Sequence, residues 1–234
     1  MAVGKQKFGD KLKKRNLVAY SSPDSLISEQ YRAIRTNIKF SSVSKKRNII
    51  MITSPTSGEG KSTTAANLAV SMAQNKEKVL LIDANLRNPT IHSIFKIPNK
   101  TGLTNILSDY TASSLDNTVY RTGMGDLDVL TSGPIPFNPG EIMGVPIMKE
   151  FLVQCERNYD IVLIDSPSIL EVTDTKILAN YCNGIILVFN NGKTELKKAL
   201  ATKRILQFVE EKIVGVILNE NPETRFTNLL KRIL

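Results

Sequence analysis

Ser54-Pro55-Thr56-Ser57-Gly58-Glu59-Gly60-Lys61-Ser62-Thr63 is the stretch whose reading decides the fold. Residues 48–54 form a short apolar run, the pattern of a buried strand, and 61–74 are patterned as a helix. A glycine-bearing turn between two such elements, ending in Gly60-Lys61-Ser62, is suited to holding phosphate. Gly58 and Gly60 permit backbone angles that turn several N–H groups onto one anion. The helix N-terminus adds partial positive charge. Lys61 can reach the β- and γ-phosphates of ATP, and Ser62 can place its hydroxyl on Mg²⁺. Ser57, Glu59 and Thr63 complete the set expected around the phosphates. The strict G-x-x-x-x-G-K-[ST] spacing fails at its first glycine, where Pro55 stands.

Working outward, the same alternation repeats. Strands are expected at 79–83, 128–131, 161–165, 185–189 and 213–219, and helices at 147–157, 174–181 and 193–210. An earlier helix should begin after Asp24, with Ile27, Tyr31, Ile34 and Ile38 on one apolar face. Continuous apolar strands alternating with helices imply an α/β fold. The expected architecture is a three-layer, doubly wound, mostly parallel sheet of the P-loop nucleotide-binding type. Residues 1–23 read as a flexible basic leader, and 24–234 as one domain.

Ligands of such sheets sit at the carboxyl ends of the strands. Two of those ends carry acids: Val79-Leu80-Leu81-Ile82-Asp83 and Ile161-Val162-Leu163-Ile164-Asp165. A lone acid after a strand is often only a turn former, but a pair downstream of a phosphate loop suits Mg²⁺, which takes oxygen ligands and keeps several waters. Asp165 fits the acidic strand end that serves the metal. Asp83 fits either a role on the metal's waters or acceptance of a proton from an attacking hydroxyl. Catalytic roles are therefore expected for Lys61, Asp83 and Asp165, and metal contacts for Ser62, Asp83 and Asp165.

Composition narrows the class. Of the 234 residues, 41% are hydrophobic and 23% charged, ordinary for a protein with a real core. The longest apolar runs are strand-sized, well short of the ~20 residues a spanning helix needs. Cys155 and Cys182 have neither metal nor disulfide spacing and read as small core residues. A cytoplasmic location is expected. The net charge is +9, and Lys5, Lys7, Lys11, Lys13, Lys14 and Arg15 crowd the leader. The leader is either a solvated tail or an attachment to an anionic membrane surface or acidic partner. Without a recognition motif or interleaved aromatics, nucleic acid is not expected as a partner. His92, the single histidine, and the Asp126/Asp128 pair read as structural.

Four segments carry a family resemblance: the loop continuing as Thr64-Ala65-Ala66-Asn67-Leu68-Ala69; Leu81-Ile82-Asp83-Ala84-Asn85-Leu86-Arg87-Asn88-Pro89-Thr90; Leu130-Thr131-Ser132-Gly133-Pro134-Ile135-Pro136-Phe137-Asn138-Pro139; and Ser28-Glu29-Gln30-Tyr31-Arg32-Ala33-Ile34-Arg35. Together and in this order they resemble the bacterial tyrosine kinases of capsule and exopolysaccharide systems, relatives of the partition and division-site ATPases. The first resembles the family's Walker A loop, the second its Walker A′ segment. The resemblance implies transfer of the ATP γ-phosphoryl to protein tyrosines, with Mg²⁺, and a membrane-bound polysaccharide co-polymerase as activating partner. It also implies a peripheral place at the inner membrane face. The Glu29, Arg32 and Arg35 spacing matches the family's ring-forming helix, so a homo-oligomeric ring is expected. Asn219, ending the last strand, stands where relatives read the adenine ring; a strand-end turn residue is the other reading.

The chain also departs from the family. Asn85 replaces the second acid of the Asp-x-Asp-x-Arg pattern, and Ser166-Pro167-Ser168 follows Asp165 where the family has x-Pro-Pro. Phe137 replaces a proline. Residues 221–234 contain no tyrosine, whereas family kinases carry a terminal tyrosine cluster. A second reading is thus kept: an ATP-binding regulatory switch, with phosphoryl transfer slow or absent. A partition-type ATPase is a third, against which stands Thr56 in the place of an early loop lysine.

Overall fold

The computed structural model describes residues 17–40, 49–108, 114–207 and 213–220. In chain order the elements are α1 (Val18–Ser21), α2 (Leu26–Phe40), β1 (Ile49–Thr53), α3 (Lys61–Ala73), β2 (Val79–Asp83), α4 (Ile91–Phe95), α5 (Leu103–Ser108) and α6 (Ser114–Thr118). Then follow β3 (Tyr120–Arg121), β4 (Leu127–Leu130), α7 (Pro139–Met143), α8 (Pro146–Asn158), β5 (Ile161–Asp165), α9 (Asp174–Tyr181), β6 (Gly184–Asn190), α10 (Leu196–Gln207) and β7 (Ile213–Asn219). The strand order is β3-β4-β2-β5-β1-β6-β7. All pairs are parallel except β3 with β4. The expected doubly wound sheet is therefore observed.

The central strands are apolar without interruption because both faces are covered. Ile49 and Met51 of β1 enter one core layer and Ile50 and Ile52 the other; Leu80 and Ile82 of β2 are separated from Val79 and Leu81 in the same way. The second layer centres on α3, where Ala65, Ala66, Ala69 and Ala73 are buried and let the helix lie close to the sheet. The strand ends at which β1, β2 and β5 stop are thus held by two cores and form a rigid floor for the site.

Three features differ from the sequence reading. Leu17 and Ala19, placed in the leader, are buried against the α3 layer. The Ala19 N–H donates to Asn67 Oδ1 at 2.9 Å, and Gln74 Nε2 donates to the Ala19 carbonyl at 3.1 Å. The packed chain therefore begins ahead of residue 23, while the basic residues 5–15 lie outside the described residues. On α2, Ile38 is buried and Tyr31 and Ile34 pack on the core, but Ile27 is 44% exposed. Leu26 and Ile27 instead line a groove with Val216 and Leu218 of the edge strand β7. Helix α10 starts at Leu196 rather than 193, because Thr194 is turned back toward the phosphate loop. Its expected end, 208–210, and residues 221–234 are outside the described residues.

Candidate functional site

The phosphate loop leaves the C-terminal end of β1 and enters α3 through Gly60, whose φ of +89° is left-handed. Gly58 is left-handed too, at +77°. At Gly60 a side chain is excluded twice over: its Cβ would stand 2.1 Å from Asn219 Nδ2. Asn219 thus sits on the loop at the end of β7 and donates to the Glu59 carbonyl at 3.2 Å. Lys61 is buried in the first turn of α3, beneath the loop. At Pro55, in place of the first glycine, the segment after β5 closes on the loop's start. Ile169 N–H donates to the Ser54 carbonyl at 2.9 Å and Leu170 N–H to the Pro55 carbonyl at 3.2 Å. Ser166 and Thr175 hydroxyls tie the rest of this segment to backbone carbonyls.

Glu59, expected among the phosphate contacts, has its buried carboxylate engaged by protein donors. Oε1 accepts from the Thr56 N–H and hydroxyl at 3.1 and 2.7 Å; Oε2 accepts from the Asn190 N–H and the Thr194 hydroxyl. Its carboxylate is a clamp between two loops. The signal was available only in part: an acid in the loop is visible in sequence, while its partners lie 131 and 135 residues away.

The two acidic strand ends meet as expected. Asp83 and Asp165 are register partners on adjacent strands, both fully buried. Their surroundings differ. Asp83 Oδ1 accepts from the Asn85 N–H at 3.2 Å, and Oδ2 from the Thr90 and Ile91 N–H groups at 3.0 Å each. It therefore also organises the turn leading into α4. Among the described residues neither oxygen of Asp165 has a partner at full hydrogen-bond geometry, and the Ser62 hydroxyl lowers its pKa. Burial raises Asp83 well above the usual carboxylate range, the Asp165 charge adds to that, and the three N–H groups oppose it. Burial likewise raises Asp165, with Lys61 and then Ser62 pulling it back. An unpartnered buried carboxylate beside a helix N-terminal hydroxyl and a phosphate loop fits Mg²⁺ with its waters, and Ser62 and Asp165 are the residues that would hold it.

Asn85 is buried beside Asp83, and its Oδ1 faces the Asn88 N–H at 3.4 Å. Arg87 forms a two-pronged pair with Asp174 at the start of α9, at 2.9 and 3.2 Å. In the sequence Asp174 is only the first residue of the helix expected at 174–181; its burial and its charge partner emerge from the fold. The Ser132-Gly133 loop is fixed by Asn99, whose amide bonds both residues, and Phe137 beyond it is almost fully exposed. Among the described residues the His92 ring bonds only its neighbour Ser93, and Asp128 accepts from the Tyr159 hydroxyl. The α2 stripe is not uniformly open. Glu29 and Arg32 pair with each other at 2.6 Å on the surface, whereas Arg35 NH1 donates to the Ser71 carbonyl of α3 at 2.6 Å.

A phosphate loop with its lysine, at the carboxyl edge of a parallel sheet and above two acidic strand ends, defines the class of P-loop nucleotide-binding ATPases. Comparison with known proteins refines this. Residues 47–213 match the family model described as an AAA domain. The chain is 48% identical over 205 residues to tyrosine-protein kinase YwqD of Bacillus subtilis, covering 88% of this chain and 86% of that one. It is 38% identical to the putative tyrosine-protein kinase CapB of Staphylococcus aureus, over 88% and 90% of the two chains. The crystal structure of the chimerical protein CapA2B2 superposes with a TM-score of 0.84 at 37% identity, over 90% of this chain and 92% of that one. The chain belongs to the bacterial tyrosine-protein kinases of the P-loop ATPase class.

Proposed function

We propose that the chain is an ATP-dependent protein-tyrosine kinase acting in capsule or exopolysaccharide synthesis, with Mg²⁺ as its metal. The observation that supports this most is the buried, unpartnered Asp165 carboxylate beside Lys61 and Ser62, under a phosphate loop whose glycines are left-handed. Backbone N–H groups of residues 58–63 and the α3 N-terminus bind the phosphates, and Lys61 offsets charge on the β- and γ-oxygens. Ser62 and Asp165 would hold the metal, which when bound neutralises charge on the same oxygens. Asp83 keeps acceptor capacity beyond its N–H bonds, since each carboxylate oxygen has two lone pairs; burial raises its pKa, and in the ionised form, which a cation bound at Ser62 and Asp165 would favour, it would receive the proton of the tyrosine hydroxyl. Asn219, lying on Gly60 at the loop's rim, is the candidate contact for the adenine ring.

The partners follow the same reading: a membrane-bound polysaccharide co-polymerase as activator, a protein tyrosine as substrate, and further copies of this chain through Glu29 and Arg32. Among the described residues no helix is long and apolar enough to cross a membrane. A peripheral position at the inner membrane face, through the co-polymerase, is therefore part of the proposal.

One observation favours a second reading, the ATP-governed regulatory switch. Asn85 supplies no charge where the family has an acid, and Asp83 is already engaged by three N–H groups. Incubation with γ-labelled ATP, Mg²⁺ and a tyrosine peptide separates the two. The kinase reading expects label on the peptide from the wild type and none from Lys61→Met. Tight ATP binding with unlabelled peptide is the outcome of a switch.

A further inference from the structure

The loop between β6 and α10 brings a second lysine to the phosphate loop. Gly192 is left-handed, at φ +89°, and makes the turn from which Lys193 reaches across. Lys193 Nζ donates to the Ser57 carbonyl at 2.8 Å. Gly58 makes room for it, since a Cβ there would stand 2.7 Å from Nζ. The approach is enforced from below by the buried Glu59 carboxylate. It binds Thr56 of the phosphate loop on one oxygen, and Asn190 and Thr194, on either side of Lys193, on the other. Ser57 is also bracketed from the β5 side, where Glu171 accepts from its N–H at 2.9 Å. That segment continues from Asp165, so Ser57 is held between the segment that follows β5 and the loop that follows β6.

An ammonium has three donors, and the Ser57 carbonyl occupies one of them. The side chain is exposed and has a flexible four-carbon stem, so the ammonium can leave the carbonyl for a stronger acceptor. We propose that Lys193 is a second cation of the ATP site, contacting the terminal phosphoryl group from within the same chain, with the Ser57 carbonyl as its resting place. This rests on the reading of the site as an ATP site. During transfer the bond from the γ-phosphorus to its bridging oxygen breaks and the bond to the tyrosine oxygen forms. The tyrosine proton goes to the base, and ADP leaves with the electron pair of the broken bond. Lys193 exchanges no proton; it stabilises the charge spread over the γ-phosphoryl oxygens.

The test compares wild type, Lys193→Ala, Lys193→Arg and Lys61→Met by calorimetry with MgATP and MgADP, and by phosphoryl transfer to a tyrosine peptide at saturating ATP. For Lys193→Ala the expected result is MgADP affinity within about twofold of wild type, MgATP weakened about 3–10-fold, and a saturated transfer rate lowered about tenfold or more. Lys193→Arg should recover most of the rate. An Ala variant that matches wild type on both nucleotides and in rate overturns the proposal. So does one that weakens ATP and ADP equally at unchanged saturated rate, which is the signature of a loop brace. Lys61→Met should lose both nucleotides. A wild type that binds neither nucleotide would remove the ATP-site reading itself.

Discussion

Asp165 and Asp83 show at the residue scale how the site is held in tension. Two carboxylates side by side in a buried sheet edge oppose ionisation; three N–H groups offset part of the lost water at Asp83, and Lys61 and Ser62 offset part of it at Asp165. The sign of the pH effect follows. Below the ordinary carboxylate pKa, about 4, both groups are protonated in the folded and unfolded chain and the conflict is absent. As pH rises toward neutrality the unfolded chain releases its protons first, so the folded, nucleotide-free protein loses stability. Asp165→Asn removes one charge at nearly constant shape. Its melting temperature in the absence of nucleotide should exceed that of wild type by several degrees at pH 8 and converge with it near pH 4, each kcal/mol being about 2–4 °C at this chain length. A variant less stable than wild type at pH 8 would contradict the burial argument. Asn85→Asp should raise phosphoryl transfer by restoring the family's second acid, at some cost in stability for the same reason; an unchanged rate would show that Asn85 is not limiting. Lys61, Ser62, Asp83 and Asp165 were legible in the sequence because a local motif and strand ends identify them. The clamp from Glu59 to Asn190 and Thr194, and the Arg87–Asp174 pair, were not, because their partners are joined only by the folded sheet.

The elements divide in the same way. β1, β2, β5 and β6 were readable as apolar runs, since burial on both faces leaves little choice of residue. The short helices α4 to α7 and the two-residue strand β3 were not, because fewer than two turns give no period to read. Helix α1 is illegible for a related reason: its buried anchors, Leu17 and Ala19, have no pattern around them. This gives a sharp truncation test. Removing residues 1–16 should leave the melting temperature within about a degree, whereas removing 1–22 should lower it by several degrees, through loss of two buried side chains and the Ala19 bonds to Asn67 and Gln74. Equal effects would mean that α1 contributes nothing. On α2, Arg35 is committed to Ser71 of the same chain, so its replacement would disturb packing as well as any contact between copies. The cleaner probe of the ring is reversal of the surface pair by Glu29→Arg with Arg32→Glu. Light scattering with MgATP should show assembly by wild type and smaller species for the reversed pair at equal ATP affinity; unchanged assembly would move the interface elsewhere.

The whole molecule places one phosphate loop, one lysine beneath it and two acids at the centre of a seven-stranded sheet, where two core layers hold the strand ends still. That arrangement was foreseeable from strand–turn–helix alternation, as was its kinship with the bacterial tyrosine kinases from four short segments in order. What the sequence leaves open is the consequence of its departures, Asn85 above all, because a buried amide beside Asp83 supplies no charge where the resemblance implies an acid. The direct measurement is phosphotyrosine, read by mass spectrometry on a tyrosine-bearing tail of a related kinase after incubation with wild type, Asn85→Asp or Lys61→Met and MgATP. A kinase gives phosphotyrosine with wild type, more with Asn85→Asp and none with Lys61→Met; ATP bound by wild type without phosphotyrosine from either wild type or Asn85→Asp would contradict it.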